Sequence, residues 1–206
     1  MASSTRERIV TATSELIRRY GYNGTSLSQV SKAAPATIGS IYHFFPGGKE
    51  ALAVAVIEST GSVYRQLFES IVAEADDPAA AFSHFFDQAG QLLIETDYID
   101  PCPIGTIARE VASTSEPIRR VADAVFDSWV EAASDFLVHS GAQPSEAHDL
   151  ATLFVTMTEG GFILSRTKRS IEPLLAVARA TNPLVASAIS AGSPTGRARL
   201  DARVNR

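Results

Sequence analysis

Residues 25–53 read TSLSQVSKAAPATIGSIYHFFPGGKEALA, and the reading of this stretch decides the fold. Ser26 and Gln29 stand in the S-x-x-Q spacing of a capping box, which satisfies two orphan backbone donors reciprocally. Leu27, Val30 and Ala34 then share one helical face, with Ser28, Gln29, Ser31 and Lys32 elsewhere. Pro35 stops this helix, because the residue before a proline disfavours the α region. After a short turn, Thr37 is a good N-cap for a second helix running from Ile38 to Phe45. Ile41 and Phe45 are four apart, face the same way and are expected to dock on Leu27 and Val30. Thr37, Ser40, Tyr42 and His43 are left for an outer face. Pro46, Gly47 and Gly48 break the chain again, and Lys49 falls in the first turn of a new apolar helix carrying Ala51, Leu52, Val54 and Ala55.

Two short helices joined by a tight turn match the geometry that places a second helix in the DNA major groove. Small residues at its start, Gly39 and Ser40, would let the backbone come close to phosphates and base edges. Tyr42, His43 and Lys49 can donate to phosphates. With Thr25 and Ser26 at the first helix, and Thr37 and Ile38 at the second, these residues form the expected DNA-contacting set. Patterning alone leaves a second reading open, since many all-α proteins contain a helix-turn-helix as a purely structural unit.

The strings TSLSQVSKAA (25–34) and GSIYHFFPGGKEAL (39–52) resemble the TetR family of one-component repressors, most specifically at Tyr42–Phe45 and Lys49-Glu50. The later CPIGTIAREVA (102–112) looks like the LmrA/YxaF branch of that family. The chain departs from the family pattern at Pro35, where the turn usually has glycine, and at Phe44, which replaces a frequent histidine. It departs also at Ile38, which stands where a basic or polar residue is common and could instead touch a thymine methyl. The resemblance implies an all-α fold of about nine helices. An N-terminal three-helix DNA-binding domain (1–50) would be joined through a connecting helix at about 48–74 to a ligand-binding and dimerisation domain (51–191). It also implies a homodimer, a double-stranded DNA operator with inverted-repeat symmetry, and a small-molecule effector.

Composition is consistent with this. Hydrophobic residues make up 45% of 206, enough for a large core. Net charge is −5, yet residues 1–50 hold six Lys/Arg against three Asp/Glu, while residues 51–191 hold eight against nineteen. The basic surplus therefore sits on the reading head, as an electrostatic footprint for nucleic acid requires. Cys102 is the one cysteine, so no internal disulfide forms, which fits a reducing cytoplasm. The start, MASSTRERIV, has charge where a signal peptide needs an apolar run. The longest apolar run, Leu153–Leu164, contains Glu159 and is too short to span a membrane. A cytoplasmic protein without a membrane partner is expected.

Along the rest of the chain, Ser4 and Glu7 form another capping box, opening a helix whose inner stripe is Ile9, Leu16, Ile17 and Tyr20 and whose end is Gly21. The long helix from Gly48 to about Glu74 is expected to act as a lever, ended by Asp76, Asp77 and Pro78. Helices follow over Pro78 to Thr96, Ile104 to Ala112, Ser115 to Ser140 and Pro144 to Arg169. A last one spans Ile171 to Ala180, after which the pattern decays at Asn182-Pro183, and Ser193–Arg206 is expected to be disordered. Leu153–Leu164 is apolar nearly all round, so it should be covered on all sides, with a second subunit as one wall. Phe154, Gly160, Gly161, Leu164, Leu174 and Leu175 are assigned to that dimer interface.

No nucleophile elbow, phosphate loop or metal signature is present, so neither catalysis, cofactor nor metal is expected. Gly47-Gly48-Lys49 lacks the first glycine and the strand of a phosphate loop. An effector would be buried in an apolar pocket with few polar anchors, for which Phe86, Cys102, Phe126, Trp129, Met157 and Phe162 are the candidates. All six could equally be ordinary core. The competing function is an all-α small-molecule-binding protein or enzyme.

Overall fold

The computed structural model describes residues 4–75, 77–99 and 102–192; the tail from Ser193 and Asp76 lie outside them. Among the described residues the chain forms nine helices and no strand. They are α1 (Thr5–Tyr20), α2 (Leu27–Ala33), α3 (Ile38–Phe44), α4 (Gly48–Ala73), α5 (Pro78–Glu95), α6 (Pro103–Val111), α7 (Glu116–His139), α8 (Pro144–Lys168) and α9 (Glu172–Gly192). Both capping boxes form. Glu7 N–H donates to Ser4 Oγ at 3.2 Å and Ser4 N–H to Glu7 Oε2 at 2.8 Å. At α2, Gln29 N–H donates to Ser26 Oγ at 3.3 Å and Ser26 N–H to Gln29 Oε1 at 2.7 Å. Each such cap contributes about 1 kcal/mol.

Contacts divide the chain into two compact units. The first contains residues up to 64 and 99–126, the second 65–98 and everything from 127. Helix α4 runs unbroken from Gly48 to Ala73, as the connecting helix expected at about 48–74, and packs on α7 within the first unit. Ile9, Ile17, Val30, Ile41, Phe45, Leu52 and Ile57 form the first unit's core together with Ile104, Ile107 and Ile118. Tyr20, expected on the inner stripe of α1, is instead 58% exposed.

Helices α4 and α7 come close together at Gly61 of α4. A methyl there would lie 2.5 Å from Val125 Cγ1 and 2.8 Å from its Cγ2, on α7. Valine is stiff about χ1 and cannot swing away. Gly61→Ala should therefore lower stability by about 1–2 kcal/mol despite alanine's better helix propensity, moving the thermal midpoint down by roughly 2–8 °C. Adding Val125→Ala should recover part of that loss; a single variant as stable as the parent would show that the helices are not in contact there.

The second unit is organised around phenylalanines. Phe154 of α8 has its ring centroid 4.7 Å from Phe82, 4.9 Å from Phe85, 5.3 Å from Phe86 and 5.6 Å from Phe68. Helix α9 packs on α5 and α8. A methyl at Gly90 would meet Ile171 Cβ at 3.3 Å, and one at Gly161 would meet Leu174 Cδ2 at 2.6 Å, so both glycines admit the α9 segment. Arg169 caps α8 in the left-handed region (φ 48°), pairs with Asp97 and lies 5.2 Å from the Tyr98 ring.

The end of α9 differs from expectation. The helix continues through Pro183 to Gly192 rather than decaying after Ala180. Proline removes one backbone donor, but packing offsets this: Val185 is 2% exposed, Ala188 is fully buried, and Asn182 Nδ2 donates to Ser83 Oγ of α5 at 3.0 Å. Consequently the longest apolar helix is not in α8. Glu172–Ala191 is long and apolar enough to cross a membrane by length and composition. Leu174, Ala178, Thr181, Val185 and Ala188 on it are buried against the unit's other helices.

Candidate nucleic-acid interface

The first unit carries the head. Its turn is fixed by Ser31: Ala36 N–H donates to Ser31 O at 3.1 Å, and Ser31 Oγ donates to Ala36 O at 2.6 Å. That clamp sets where α3 begins. Thr37 then caps α3, accepting from Ser40 N–H at 3.1 Å, with the two hydroxyls 2.9 Å apart. Burial of Ile41 and Phe45 fixes the inner face of α3. The outer face is what remains: Thr37, Gly39 and His43 are exposed, Ile38 is 41% and Tyr42 50% exposed, and Ser40 is half-buried. Phe44 is also exposed, with the His43 ring edge-on to it at 5.1 Å.

Gly48 (φ +64°) occupies the left-handed region and starts α4, with Tyr42 Cε1 3.4 Å from where a Cβ would stand. The tyrosine ring thus lies over the α4 start, half exposed. Arg6 of α1 stacks over the Phe45 ring at 5.3 Å, which brings an exposed cation to the end of α3.

Two of the expected DNA contacts, Thr25 and Lys49, make contacts within the unit. Thr25 is 3% exposed and its hydroxyl donates to Gly21 O at 2.8 Å. Its side chain is buried and holds the α1–α2 turn. Lys49 is half-buried: Nζ lies 4.3 Å from the Tyr22 ring centroid and donates to Asn23 O at 3.4 Å. Burial pushes its ammonium below the ordinary lysine value, while the nearby Glu110 carboxylate works in the other direction. Ser26 is exposed, but its oxygen is engaged in the capping box.

Ser31 and Glu110 are the positioning residues that sequence reading missed. Glu110 of α6 accepts from Tyr22 N–H at 3.1 Å and Asn23 N–H at 2.7 Å. A serine in a last turn is an ambiguous local signal, and nothing near Glu110 in sequence points to partners 88 and 87 residues away.

The expected effector residues fall in both units. Cys102 and Phe126 belong to the first, where Cys102 is 1% exposed and caps α6, its Sγ accepting from Gly105 N–H at 3.3 Å. Phe86, Trp129, Met157 and Phe162 belong to the second. Phe86 is fully buried in the phenylalanine cluster, Phe162 is buried, and Trp129 and Met157 are half-buried. Of the expected interface residues, Phe154, Gly161 and Leu174 are buried within their own unit and are core, because α9 and the α5 phenylalanines cover them first. Gly160 has nothing within 4 Å of a built Cβ, Leu164 is 52% exposed and Leu175 half-buried. Ile163 and Leu184 add exposed apolar surface on α8 and α9.

Comparison with known proteins agrees with this architecture. Residues 9–56 match the family model of bacterial regulatory proteins of the tetR family, and residues 78–180 match the C-terminal domain of LmrA/YxaF-like transcriptional regulators. The HTH-type transcriptional regulator YxaF of Bacillus subtilis is 38% identical over 180 residues, 87% of this chain and 94% of that protein. LmrA of the same organism is 33% identical over 170 residues, 82% of this chain and 90% of its own. A solved TetR transcriptional regulator from Legionella pneumophila shares the fold with a TM-score of 0.79 at 26% identity, over 88% of this chain and 97% of that one. The chain belongs to the TetR family of DNA-binding, helix-turn-helix transcriptional regulators, in its LmrA/YxaF-like branch.

Proposed function

We propose that this regulator is a homodimeric repressor that binds an operator of inverted-repeat symmetry and is released by a small apolar or aromatic effector. The observation that carries the DNA-reading part is the outer face of α3, where Ile38, Gly39, Tyr42 and His43 stand exposed on a helix held by caps and a buried inner face. Thr37 and Ser40 offer hydroxyls to base edges, and Ile38 offers apolar surface that suits a thymine methyl. A second copy would cover Leu164, Ile163 and Leu184, with Gly160 open to close approach. Two heads then double a modest basic surplus and read two half-sites about one helical turn, or a multiple, apart. The effector has its best candidates in the second unit, at Trp129, Met157 and Phe162. It must bind the DNA-incompetent state more tightly to cause release. The protein would act in the cytoplasm, where the DNA is.

Selection of bound duplexes from a random library at moderate salt tests this reading. An enriched inverted repeat supports it. Absence of any enrichment from folded protein would favour an all-α small-molecule binder in which the helix-turn-helix is structural.

Lys49 gives a sharper check. If its ammonium leaves Asn23 for a phosphate, Lys49→Ala should weaken all duplexes about equally and reduce the slope of log affinity against log salt by about one per head. A weaker complex with an unchanged slope would make Lys49 an internal brace only.

A further inference from the structure

Helix α7 changes character along its length. In its first turns the acids are paired, Glu116 with Arg119 and Arg120, and Asp123 with Arg119. Further on, the solvent face carries acids alone. Of residues 125–137, only Asp127, Glu131 and Asp135 are exposed. They are four apart and stand in one row, with about 6 Å of helix axis between neighbours. None of the three carboxylates has an ion pair or a hydrogen bond among the described residues. Like charges at this spacing repel. No cation is near in sequence either: residues 121–165 contain no Lys or Arg. By itself such a row is a solvated face. What singles it out is the segment that follows α9.

The last turn of α9 lies against the end of α7. A methyl built on Gly141, just past α7, would stand 3.6 Å from Ile189 O and 3.9 Å from Ile189 Cγ2. From Gly192 the chain continues as SPTGRARLDARVNR (193–206). This segment holds four arginines, Arg197, Arg199, Arg203 and Arg206, against one acid, Asp201. Its reach is sufficient. From His139 back to Asp127 is about 18 Å of helix, and the chain from Gly192 to Arg199 alone can span about 23 Å. Arginine is also the suitable cation, because its planar fork meets a carboxylate through two parallel N–H···O bonds where lysine offers a point charge. Finally, a segment on a short tether meets its target at an effective concentration of about millimolar.

We propose that residues 193–206 dock on the Asp127–Glu131–Asp135 face of their own chain, arginine on carboxylate. The docking offsets the repulsion along α7. It also withholds the four arginines from phosphates, which the same guanidinium fork suits. An acidic face repels a duplex, so its occupant is a cationic segment, and this one begins beside the end of α7.

The test uses the full chain with a nitroxide attached through Asn205→Cys, read by paramagnetic broadening of backbone amide signals. Cys102 is 1% exposed, and labelling of the parent chain checks that it takes no label. At about 0.01 M salt, amides of residues 127–138 should lose about half their intensity relative to the reduced label. The loss should vanish at about 1 M salt, where the screening length is about 3 Å. Asp127→Asn with Glu131→Gln and Asp135→Asn should abolish it at low salt. The salt titration keeps the α7 face intact, so the test does not depend on that variant folding. Broadening that survives both high salt and the neutral face would reveal an apolar contact and overturn the proposal. Unbroadened α7 amides at low salt would overturn it as well. If replacing the four arginines by glutamine then flattened the salt dependence of duplex binding, the segment would be an arm for DNA. Mixing spin-labelled chains with isotope-labelled chains that carry no nitroxide should leave the α7 amides sharp. Broadening there would move the contact to a second copy and overturn the assignment to the same chain.

Discussion

Phe154→Ala should lower the stability of the chain by about 3–5 kcal/mol, the cost of deleting a buried aromatic ring that its neighbours cannot fill. The ring is 6% exposed and touches phenylalanines from both α4 and α5, in edge-on or tilted arrangements that suit the aromatic quadrupole. Helix α9 closes the same unit against α5 and α8, which limits collapse into the vacated space. For a chain of this length the thermal midpoint should drop by roughly 6–20 °C. The check is thermal unfolding beside a measurement of the monomer–dimer equilibrium. Because the ring is spent inside its own unit, the dissociation constant of the proposed dimer should stay near the parent's where the variant is folded. A normal midpoint with weakened dimerisation would return Phe154 to the interface.

That assignment shows where sequence stops being informative. The run Leu153–Leu164 announces by composition that it is covered on every side, but periodicity says nothing about which partner covers which side. Phe154 and Gly161 went to neighbours in their own chain, while Gly160, Ile163 and Leu164 remained open. The head was far more legible. Ser4 with Glu7, Ser26 with Gln29, and Thr37 with Ser40 each find their partner three residues away, so spacing alone specifies the bond. Pro46 and the two glycines that follow mark the α3–α4 break for the same local reason.

Errors arose where tertiary contacts override local rules. Pro183 reads as a stop, yet Val185 and Ala188 bury enough surface for α9 to continue. Thr25 reads as a polar residue at a reading helix, yet its hydroxyl turns back to Gly21. Glu110 reads as one acid among many on a short helix. Only the fold brings it to the amides of Tyr22 and Asn23.

Gly39→Ala should separate the needs of the fold from the needs of DNA reading. Gly39 lies in the first turn of α3, exposed, in ordinary helical conformation. A methyl built there meets only Thr37 Oγ1, at 3.7 Å, an unstrained distance. Nothing in the free protein requires glycine here, and alanine is the better helix former by about 1 kcal/mol, so the variant should melt about 2–4 °C higher. Operator affinity should move the other way. A helix seated in the major groove touches the DNA with its first turn, and a methyl between them forces a retreat that weakens neighbouring contacts from Ile38, Ser40 and Tyr42. Losing one good base contact costs about 1–3 kcal/mol per half-site, so binding to two half-sites by the proposed dimer should weaken by about thirtyfold to about ten-thousandfold. The salt slope should hold, because no charge is removed. A variant that is more stable, binds operator as tightly as the parent and keeps its sequence preference would mean that the first turn of α3 does not face DNA, and the outer face would have to be sought nearer His43 and the α4 start.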